Sequence, residues 1–392
     1  MKKRLVLSAT LAAALVMGGC GTTGTQDTAT TSTEESTEAA EETTLQASDL
    51  TLEQKVGQLF IVRPDALDTS YTLEQVNDSK AEGATQITDS IRENIEKYQV
   101  GGICQFGKNI VDPDQITQFN SDLKEASDIP MFITVDEEGG RVARLANTET
   151  FDLPKYESAA AVGEQGTDAA YDMGYTIGTY ISEYGFNVDF APDADVNTNP
   201  DNPIIGTRAF SSDATKAAEL AKACGQGLAD AGVIPTFKHF PGHGDTAEDS
   251  HTGFAYSYRT LEEIQDCELL TFKAATEVTP HAVMVSHISM PNVTGDNTPA
   301  TLSSTIIDLI PDKDNTLIIT DAMSMQAITD AYSSGEAAVM TLQAGCDIVL
   351  MPYDFTEAYD AVLAACKDGT ISEERLDQSV NKILKYKASM QQ

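Results

Sequence analysis

The stretch TLIITDAMSM, residues 316–325, joins a run of apolar and β-branched residues to an acidic residue, Asp321. The run from Thr316 to Thr320 has the length and composition of a buried strand. Its apolar residues do not alternate with polar ones, which is typical of a strand in a parallel sheet covered on both faces. We therefore expect the Asp321 carboxylate at the carboxyl edge of a parallel sheet.

Similar runs recur along the chain, and each is followed by a longer segment with helical spacing. The runs are QLFIV (58–62), GGICQF (101–106), MFITV (131–135), NVDFA (187–191), IPTFK (234–238), AVMVS (282–286), TLIIT (316–320) and CDIVLM (346–351). Strands that alternate with helices predict an α/β fold with a parallel sheet. Eight strands favour a closed (β/α)8 TIM-type barrel forming a single domain.

A doubly wound open sheet is the structural alternative. Against it, no GxGxxG sequence follows the first strand. Polar residues also follow most of the strands, for example Asp136, Asp193, His239, His287 and Asp321. In a barrel these positions line the carboxyl-terminal mouth. A final helix from about 372 to 390, with apolar residues at helical spacing, is expected to close the barrel.

The amino terminus is typical of a secretion signal followed by a tether. Three basic residues precede a short apolar run that ends in Gly-Gly-Cys, which predicts a lipoprotein signal over residues 1–19 and lipidation of Cys20. The alternative is a plain secretory signal. Residues 20–48 are rich in Thr, Ser and Glu, and this composition predicts a disordered tether. The expected location is the extracytoplasmic face of a cell membrane.

Charge and cysteine content narrow the class of protein. The formal net charge of −36 disfavours nucleic acid as a partner and anionic lipid as a surface for the folded body. Contact with a membrane is therefore expected through the lipid anchor only. After Cys20, the five cysteines are scattered with no CxxC pair, which predicts single buried thiols instead of a disulfide framework or a zinc site.

The segment KHFPGHGDTAEDSH, residues 238–251, contains three of the five histidines in the chain. A metal site, a structural turn and proton chemistry are all conceivable. The HxxxH spacing suits zinc only on a helix, and the glycines and proline here indicate a loop. Asp249 lies two residues before His251, close enough to orient its imidazole for acid and base catalysis near neutral pH. We favour proton chemistry and expect no metal.

Asp321 admits two interpretations. A carboxylate at the mouth of a barrel can attack an acetal carbon and form a covalent intermediate. The same residue could instead cap the helix that follows it. The residues alone leave this choice open.

Four segments together resemble the family-3 glycoside hydrolases, and specifically their bacterial β-N-acetylglucosaminidase branch. They are VDEEGGRVARL (135–145), NVDFAPDADVNTNPDNPIIGTRAF (187–210), KHFPGHGDTAEDSH (238–251) and TDAMSM (320–325). The resemblance extends from about residue 50 to the end, and it implies a catalytic barrel domain over 49–392. It also implies a retaining β-N-acetylglucosaminidase acting on terminal GlcNAc of cell-wall glycans or muropeptides, without a cofactor.

The resemblance assigns roles to individual residues. Asp321 matches the nucleophile, His251 the acid and base, and Asp249 its orienting partner. The positions that bind sugar hydroxyls are matched by Asp136, Arg208, Lys238 and His239. A monomer is expected.

Some features depart from the family pattern. Glu137 stands where Gln is usual, Thr320 stands where Ser is common, and the first βα connection over 63–96 is long enough to alter the rim of the site. There is no Trp, so stacking on a sugar must use other rings. Alternatives are a phosphorylase or β-glucosidase of the same family, a substrate-binding lipoprotein, and a metal-dependent barrel hydrolase.

Overall fold

A computed structural model describes residues 45–247, 253 and 255–390. Within this part of the chain, a parallel sheet of eight strands is surrounded by helices. Each of the eight predicted runs overlaps one of these strands, and the strand that overlaps 234–238 extends two residues further, to Phe240. The prediction of a (β/α)8 barrel is therefore confirmed.

The strands are β1 (Phe60–Val62), β2 (Gly102–Cys104), β3 (Phe132–Val135), β4 (Glu137–Gly139), β5 (Val142–Ala143), β6 (Val188–Asp189), β7 (Ile234–Phe240), β8 (Ala282–Val285), β9 (Leu317–Thr320) and β10 (Val349–Leu350). The α-helices are α1 (Leu52–Gln58), α2 (Leu73–Asn77), α3 (Asp89–Tyr98), α4 (Pro113–Glu125), α5 (Ala159–Gly163), α6 (Thr167–Glu183), α7 (Ala214–Asp230), α8 (Leu261–Gln265), α9 (Leu269–Ala275), α10 (Pro291–Thr294), α11 (Ser304–Ile307), α12 (Gln326–Thr329), α13 (Ser334–Ala344), α14 (Phe355–Asp368) and α15 (Glu373–Ser389). Short 3-10 helices cover Ala47–Asp49, Pro64–Leu67, Gly107–Asn109, Gly206–Arg208 and Ala300–Leu302.

The sheet order is β10-β1-β2-β3-β6-β7-β8-β9, and all neighbours in it are parallel. A parallel bridge between Ile319 and Ile348 joins the two ends of this order. The Thr320 amide donates to the Ile348 carbonyl at 3.0 Å, and the Leu350 amide donates to the Thr320 hydroxyl at 2.9 Å. These contacts close the barrel, and they leave the carboxyl ends of all eight strands at one mouth.

Two elements place side chains at that mouth. The longest strand, β7, is buried along its whole length and ends in Lys238, His239 and Phe240. Strands β4 and β5 form a small antiparallel hairpin after β3, which was not predicted. The hairpin lies within the VDEEGGRVARL segment, where charged residues and glycines hide the apolar alternation of a strand. Its residues face the functional site described below.

The folded body includes residues before 49. Ala47 is buried, and its amide donates to the Asn381 side chain at 2.8 Å. The predicted tether over 20–48 therefore ends before Ala47, because this residue packs against the last helix. Helix α1 starts with a capping box formed by Thr51 and Gln54. Among the described residues, no helix has the length and apolar content needed to cross a membrane.

Helix α15 confirms the predicted final helix, and its apolar residues are buried. The cysteines other than Cys20 are free thiols, as predicted. Cys104, Cys224 and Cys346 are buried, whereas Cys267 and Cys366 are only half-buried. The expectation of buried thiols therefore holds for three positions and is wrong for two, because the latter two lie in or beside surface helices.

Candidate active site

The mouth of the barrel holds a cavity of about 560 Å³. Five residues predicted from the sequence line it, namely Asp136, Arg208, Lys238, His239 and Asp321. They lie at the end of one strand, β7, or after three others, so that the parallel arrangement of the barrel brings together positions that are up to 185 residues apart in the chain. Phe106 and Phe190 also line the cavity, and their rings offer the aromatic surface on which a sugar can stack in a chain without Trp. A cavity of this size suits a small ligand such as a sugar.

Two acids of the β3 to β4 segment hold the basic residues of the site. The Lys238 ammonium lies 2.8 Å from Asp136 Oδ1 and 2.6 Å from Glu138 Oε1. Arg208 donates to both oxygens of Glu138, from Nη2 at 2.7 Å and from Nε at 2.8 Å. This bidentate geometry fixes the plane of the guanidinium as well as its position. Arg144 completes the set by donating to Asp136 Oδ2 at 3.1 Å.

Opposite charges dominate the electrostatics of this cluster. Burial alone would raise the pKa of Asp136, but Lys238 and Arg144 outweigh burial and hold its pKa well below the usual range. Burial also acts to raise the pKa of Glu138, but Arg208 and Lys238 outweigh burial and lower this pKa below its usual value. The pKa of Lys238 is raised, because the two carboxylates overcome the cost of its burial. All three groups are therefore charged near neutral pH.

His239 is buried beside this cluster in a neutral form. Burial, together with the nearby Arg208 guanidinium, lowers the pKa of His239 to about 4. Its Nδ1 lies 2.7 Å from Asp195 Oδ2, and its Nε2 lies 3.3 Å from Arg208 Nη2. Because a guanidinium only donates, Nε2 accepts and the proton lies on Nδ1, which donates to Asp195.

His243, the second histidine of the loop, supports the structure of the turn. Its side chain is buried, and Nδ1 lies 2.7 Å from the Thr246 hydroxyl. Its backbone amide donates to Asp195 Oδ1 at 2.6 Å. Burial lowers the pKa of His243 to about 4, so that it too is neutral at pH 7. The structural interpretation considered for this loop therefore applies to His243.

One group of possible metal ligands occurs among the described residues. The ligand atoms of Asp193, Asp195 and His239 lie within 4.8 Å of one another. Arg208, however, lies 3.4 Å from Asp193 Oδ2 and 3.3 Å from His239 Nε2, where its charge would repel a metal cation. Burial raises the pKa of both aspartates, with their mutual repulsion contributing to that of Asp193. We therefore assign this group to holding Arg208 and His239 in place.

Glu137, the first residue of β4, stabilises the hairpin through its buried side chain. Its carboxylate accepts from the backbone amides of Leu145 at 2.8 Å and Ala146 at 2.9 Å, and from the Tyr180 hydroxyl at 2.8 Å. Burial raises the pKa of Glu137, although these hydrogen bonds act against burial. A carboxylate accepts all three bonds, whereas a Gln side chain would place an amide N–H toward one of the donors. The three donors therefore favour Glu at position 137 over the Gln that the resemblance led us to expect.

Asp321 follows β9 directly and is half-buried at the cavity wall. Its amide donates to the Val285 carbonyl at 2.7 Å, and its Oδ1 accepts from the Ala322 amide at 2.7 Å. The next helix, α12, begins at Gln326 with Met325 as its capping residue. The alternative interpretation of Asp321 as a helix cap is therefore wrong, and the carboxylate is left facing the cavity.

Three predicted residues, Cys20, Asp249 and His251, lie outside the described residues. Conversely, the site contains Glu138, Arg144 and Asp195, which the sequence analysis did not select. Glu138 had a signal, because it stands beside Asp136 in the VDEEGG segment. Asp195 follows a strand as Asp193 does, but only the folded chain shows which of these acids contacts His239.

Comparisons with known proteins agree with this geometry. Residues 51–386 match the model of the glycosyl hydrolase family 3 N terminal domain. The chain is 33% identical over 337 residues to beta-hexosaminidase A of Pseudoalteromonas piscicida, covering 79% of this chain and 56% of that protein. It is 34% identical over 311 residues to beta-hexosaminidase LpqI of Mycobacterium tuberculosis, covering 75% of this chain and 77% of that protein.

A solved structure of a family 3 enzyme is also similar to this chain. The family 3 β-N-acetylglucosaminidase from Paenibacillus sp. str. FPU-7 superposes with a TM-score of 0.77 at 35% identity, covering 87% of this chain and 63% of that one. The chain thus spans less than two thirds of the Pseudoalteromonas and Paenibacillus proteins.

The closed barrel, with charged side chains gathered at its carboxyl mouth, defines a protein of the TIM-barrel enzyme class. Within that class, the family match covers most of the chain. The chain belongs to glycosyl hydrolase family 3.

Proposed function

We propose that this protein is a β-N-acetylglucosaminidase that removes terminal β-linked GlcNAc from cell-wall glycans or muropeptides. The observation that carries the proposal is that the Asp321 carboxylate lines the same cavity as the cluster of Asp136, Lys238, Arg208 and His239. The names of the three relatives, two of them β-hexosaminidases and one a β-N-acetylglucosaminidase, support the same activity.

The chemistry of the cluster suits the hydroxyl groups of a neutral sugar. A hydroxyl both donates and accepts, so that it binds best between a fixed acceptor and a fixed donor. Asp136 supplies a carboxylate acceptor, Lys238 and Arg208 supply donors, and His239 is held neutral between Arg208 and Asp195. The pairing of these charges with one another leaves little net attraction for an ionic ligand. The cluster can therefore hold a sugar ring in one orientation before reaction.

The proposed reaction is a double displacement that retains the β configuration. A carboxylate oxygen of Asp321 attacks the anomeric carbon, and the bond to the glycosidic oxygen breaks as His251 donates a proton to that oxygen. Neutral His251 then removes a proton from water, which attacks the anomeric carbon and releases Asp321. Asp249 orients the imidazole and raises its basicity in both steps.

Substrate comparison tests this proposal. The purified body is incubated with aryl N-acetyl-β-glucosaminide and with aryl β-glucoside carrying the same aryl group, and with purified muropeptides. We expect the N-acetyl substrate to have the higher kcat/KM and GlcNAc to be the product. Faster cleavage of the glucoside would contradict the proposal. Retained activity in chelator would exclude the metal-dependent alternative, and GlcNAc 1-phosphate formed in phosphate buffer would indicate a phosphorylase.

We also propose that the protein is anchored by lipid at Cys20 on the extracytoplasmic face of the membrane. The support is the Gly-Gly-Cys sequence after a short apolar run. A Cys20→Ala variant is expected to leave the membrane fraction of the cell. Equal retention of the variant and the natural protein in that fraction would show that the anchor lies elsewhere.

A further inference from the structure

Two described stems belong to the connection between β7 and α8, whose sequence carries the proposed acid and base. The first stem, 241–247, follows β7, and the second stem, 255–260, precedes α8. The second stem is fixed to the connection after β8. The Ser289 amide donates to the Ala255 carbonyl at 2.9 Å, and the Ser257 amide donates to the Ser289 carbonyl at 3.0 Å. The second stem therefore has a defined position from which it can hold the first.

The side chain of Asp245 joins the first stem to the second. Its Oδ2 accepts from the Ser257 hydroxyl at 3.1 Å, and its Oδ1 lies 3.2 Å from Arg259 Nε. Ser257 is buried, whereas the side chains of Asp245 and Arg259 are 29% and 24% exposed. One hydrogen bond and one ion pair thus connect the stems directly.

Glu268 is a second acid that contacts Arg259. It is buried directly before α9, and its Oε1 lies 3.2 Å from Arg259 Nε. Among the described residues, neither carboxylate oxygen of Glu268 accepts a hydrogen bond. Burial raises the pKa of Glu268 to about 7, and the Arg259 guanidinium acts against burial. Glu268 and Asp245 in turn outweigh the burial of Arg259 and raise its pKa. The guanidinium therefore compensates two carboxylates.

Without the guanidinium, the same two acids would repel each other. Asp245 acts to raise the pKa of Glu268, which is the effect of a like charge nearby. The first stem also passes directly against Glu268 at Gly242. This glycine has a φ of 135°, and a Cβ atom there would lie 2.3 Å from Glu268 Cγ. The first stem therefore depends on Arg259 to keep Asp245 close to Glu268.

We propose that Arg259 is a positioning residue for the acid and base, which holds the two stems where His251 can reach the glycosidic oxygen. The proposal rests on the glycosidase function proposed above. Arg259 is not among the described residues that line the cavity, so that it acts through Asp245. Asp245 stands four residues before Asp249 and six before His251. A general acid must lie within hydrogen-bond reach of the atom that it protonates, so that a small displacement of the stem lowers the rate.

The test compares two substrates that differ in their need for a proton. They are a nitrophenyl N-acetyl-β-glucosaminide and a disaccharide with terminal β-linked GlcNAc, and kcat/KM is measured for both. In Arg259→Met we expect kcat/KM for the disaccharide to fall about 10- to 100-fold and that for the nitrophenyl substrate by less than about threefold. A smaller folded fraction would lower both values equally. Equal losses on the two substrates, or no loss, would overturn the proposal.

A variant at His251 shows whether Arg259 acts through this residue. In a protein that already carries His251→Ala, Arg259→Met should change kcat/KM for the disaccharide by about twofold or less, because the effects of groups that act as a unit do not add. A structural role elsewhere would make the two effects additive. The same loss in the His251→Ala protein as in the natural protein would therefore overturn the proposal.

Further variants separate positioning from folding. Arg259→Lys keeps the charge and should restore part of the activity on the disaccharide, and Asp245→Asn should reproduce the selective loss. The matched control is Lys55→Met, which breaks a partly exposed ion pair of 2.6 Å with Asp377, between α1 and α15. This control should lower both activities alike or not at all. If Arg259→Met does not fold, the absence of a selective loss in Asp245→Asn would still overturn the proposal.

Turnover by the natural protein separates this proposal from the proposed function. If both substrates are cleaved and Arg259→Met shows no selective loss, the positioning role is wrong and the glycosidase remains. If neither substrate is cleaved, the glycosidase proposal fails, and hydrogen exchange decides whether Arg259 holds the stems. Faster exchange of the amides of both stems in Arg259→Met than in the natural protein would support this role. Equal exchange would contradict it.

Discussion

Two buried lysines lie at opposite ends of the barrel. At the mouth, Lys238 is 2.8 Å from Asp136 and 2.6 Å from Glu138. At the other end, Lys387 of α15 is 2.6 Å from the Gln58 side-chain oxygen, and its ammonium is 5.1 Å from the centre of the Phe132 ring. Both lysines are almost entirely shielded from solvent, with exposures of 2% and 1%. They differ in whether their neighbours are charged.

The comparison shows that neighbouring groups determine whether a buried lysine carries a charge. Two carboxylates overcome the burial of Lys238 and raise its pKa, whereas burial alone lowers the pKa of Lys387 well below its usual value. The mouth thus keeps fixed charges that can hold a ligand, and the opposite end favours a neutral amine that packs in the core. This agrees with the general division of barrels into a functional carboxyl end and a stabilising amino end.

The Asp321→Asn variant is the strongest test that the reaction takes place at the mouth of the barrel. An amide cannot form the covalent intermediate, so that kcat/KM for aryl N-acetyl-β-glucosaminide should fall by about 10³-fold or more. The fold should survive, because Asn keeps the size of the side chain and can still accept from the Ala322 amide. Thermal unfolding of the variant provides the control. A folded variant with near-normal turnover would remove Asp321 from the role of nucleophile.

His251→Ala should separate substrates by their leaving groups. A nitrophenolate departs with little need of a proton, whereas a sugar alcohol needs one. The loss on a disaccharide should therefore exceed the loss on the nitrophenyl substrate by about 10²- to 10⁴-fold. Asp249→Ala should show the same pattern with smaller losses, because it acts through the imidazole. Equal losses on both substrates would show that His251 is not the acid.

Lys238→Met should affect both activity and stability. The variant loses a donor to the substrate, which predicts a fall in kcat/KM of about 10- to 100-fold. It also leaves Asp136 and Glu138 buried with one counter-charge fewer, which should lower the free energy of unfolding by about 3–5 kcal/mol. Denaturant unfolding measures this change. The control is Lys222→Met, which breaks only the exposed pair with Glu277 and should cost about 1 kcal/mol or less.

The contrast between the two lysines also shows what the sequence can predict. The eight strands were predictable because each is a short run of β-branched and apolar residues, and the parallel order then placed Lys238, Asp136 and Asp321 at one mouth. Lys387 had a weaker signal. It stands four residues after Ile383 and seven after Val380, on the apolar face of the last helix. A lysine on such a face is usually expected to reach solvent.

Partners of side chains were harder to predict than positions. Glu138 and Asp195 were missed because neighbouring acids look alike in sequence, and only the fold shows that Glu138 pairs with Lys238 and that Asp195 contacts His239. The hairpin of β4 and β5 was missed because its strands are only three and two residues long and the first of them begins with two glutamates.

Lys387→Met should produce the smallest effect, and its signature is the dependence of stability on pH. At neutral pH, losing the hydrogen bond to Gln58 and removing a poorly solvated amine nearly offset each other, so that the free energy of unfolding should change by about 1 kcal/mol or less. Activity should stay within about twofold of the natural value, since Lys387 lies far from the mouth. Lys385→Met, at an exposed position of the same helix, is the matched control.

The sign of the pH effect follows from proton binding. In the unfolded chain a lysine keeps its proton up to about pH 10.4, whereas folded Lys387 loses it at lower pH. Between these values the unfolded state binds more protons, so that the unfolding free energy of the natural protein gains up to about 1.4 kcal/mol per pH unit from this residue. Lys387→Met lacks this gain. Its stability relative to the natural protein should therefore fall as pH rises from about 8 to about 10. Parallel curves of stability against pH for Lys387→Met and the natural protein would show that Lys387 is charged in the folded state. The buried lysines at the two ends of the barrel would then both be protonated.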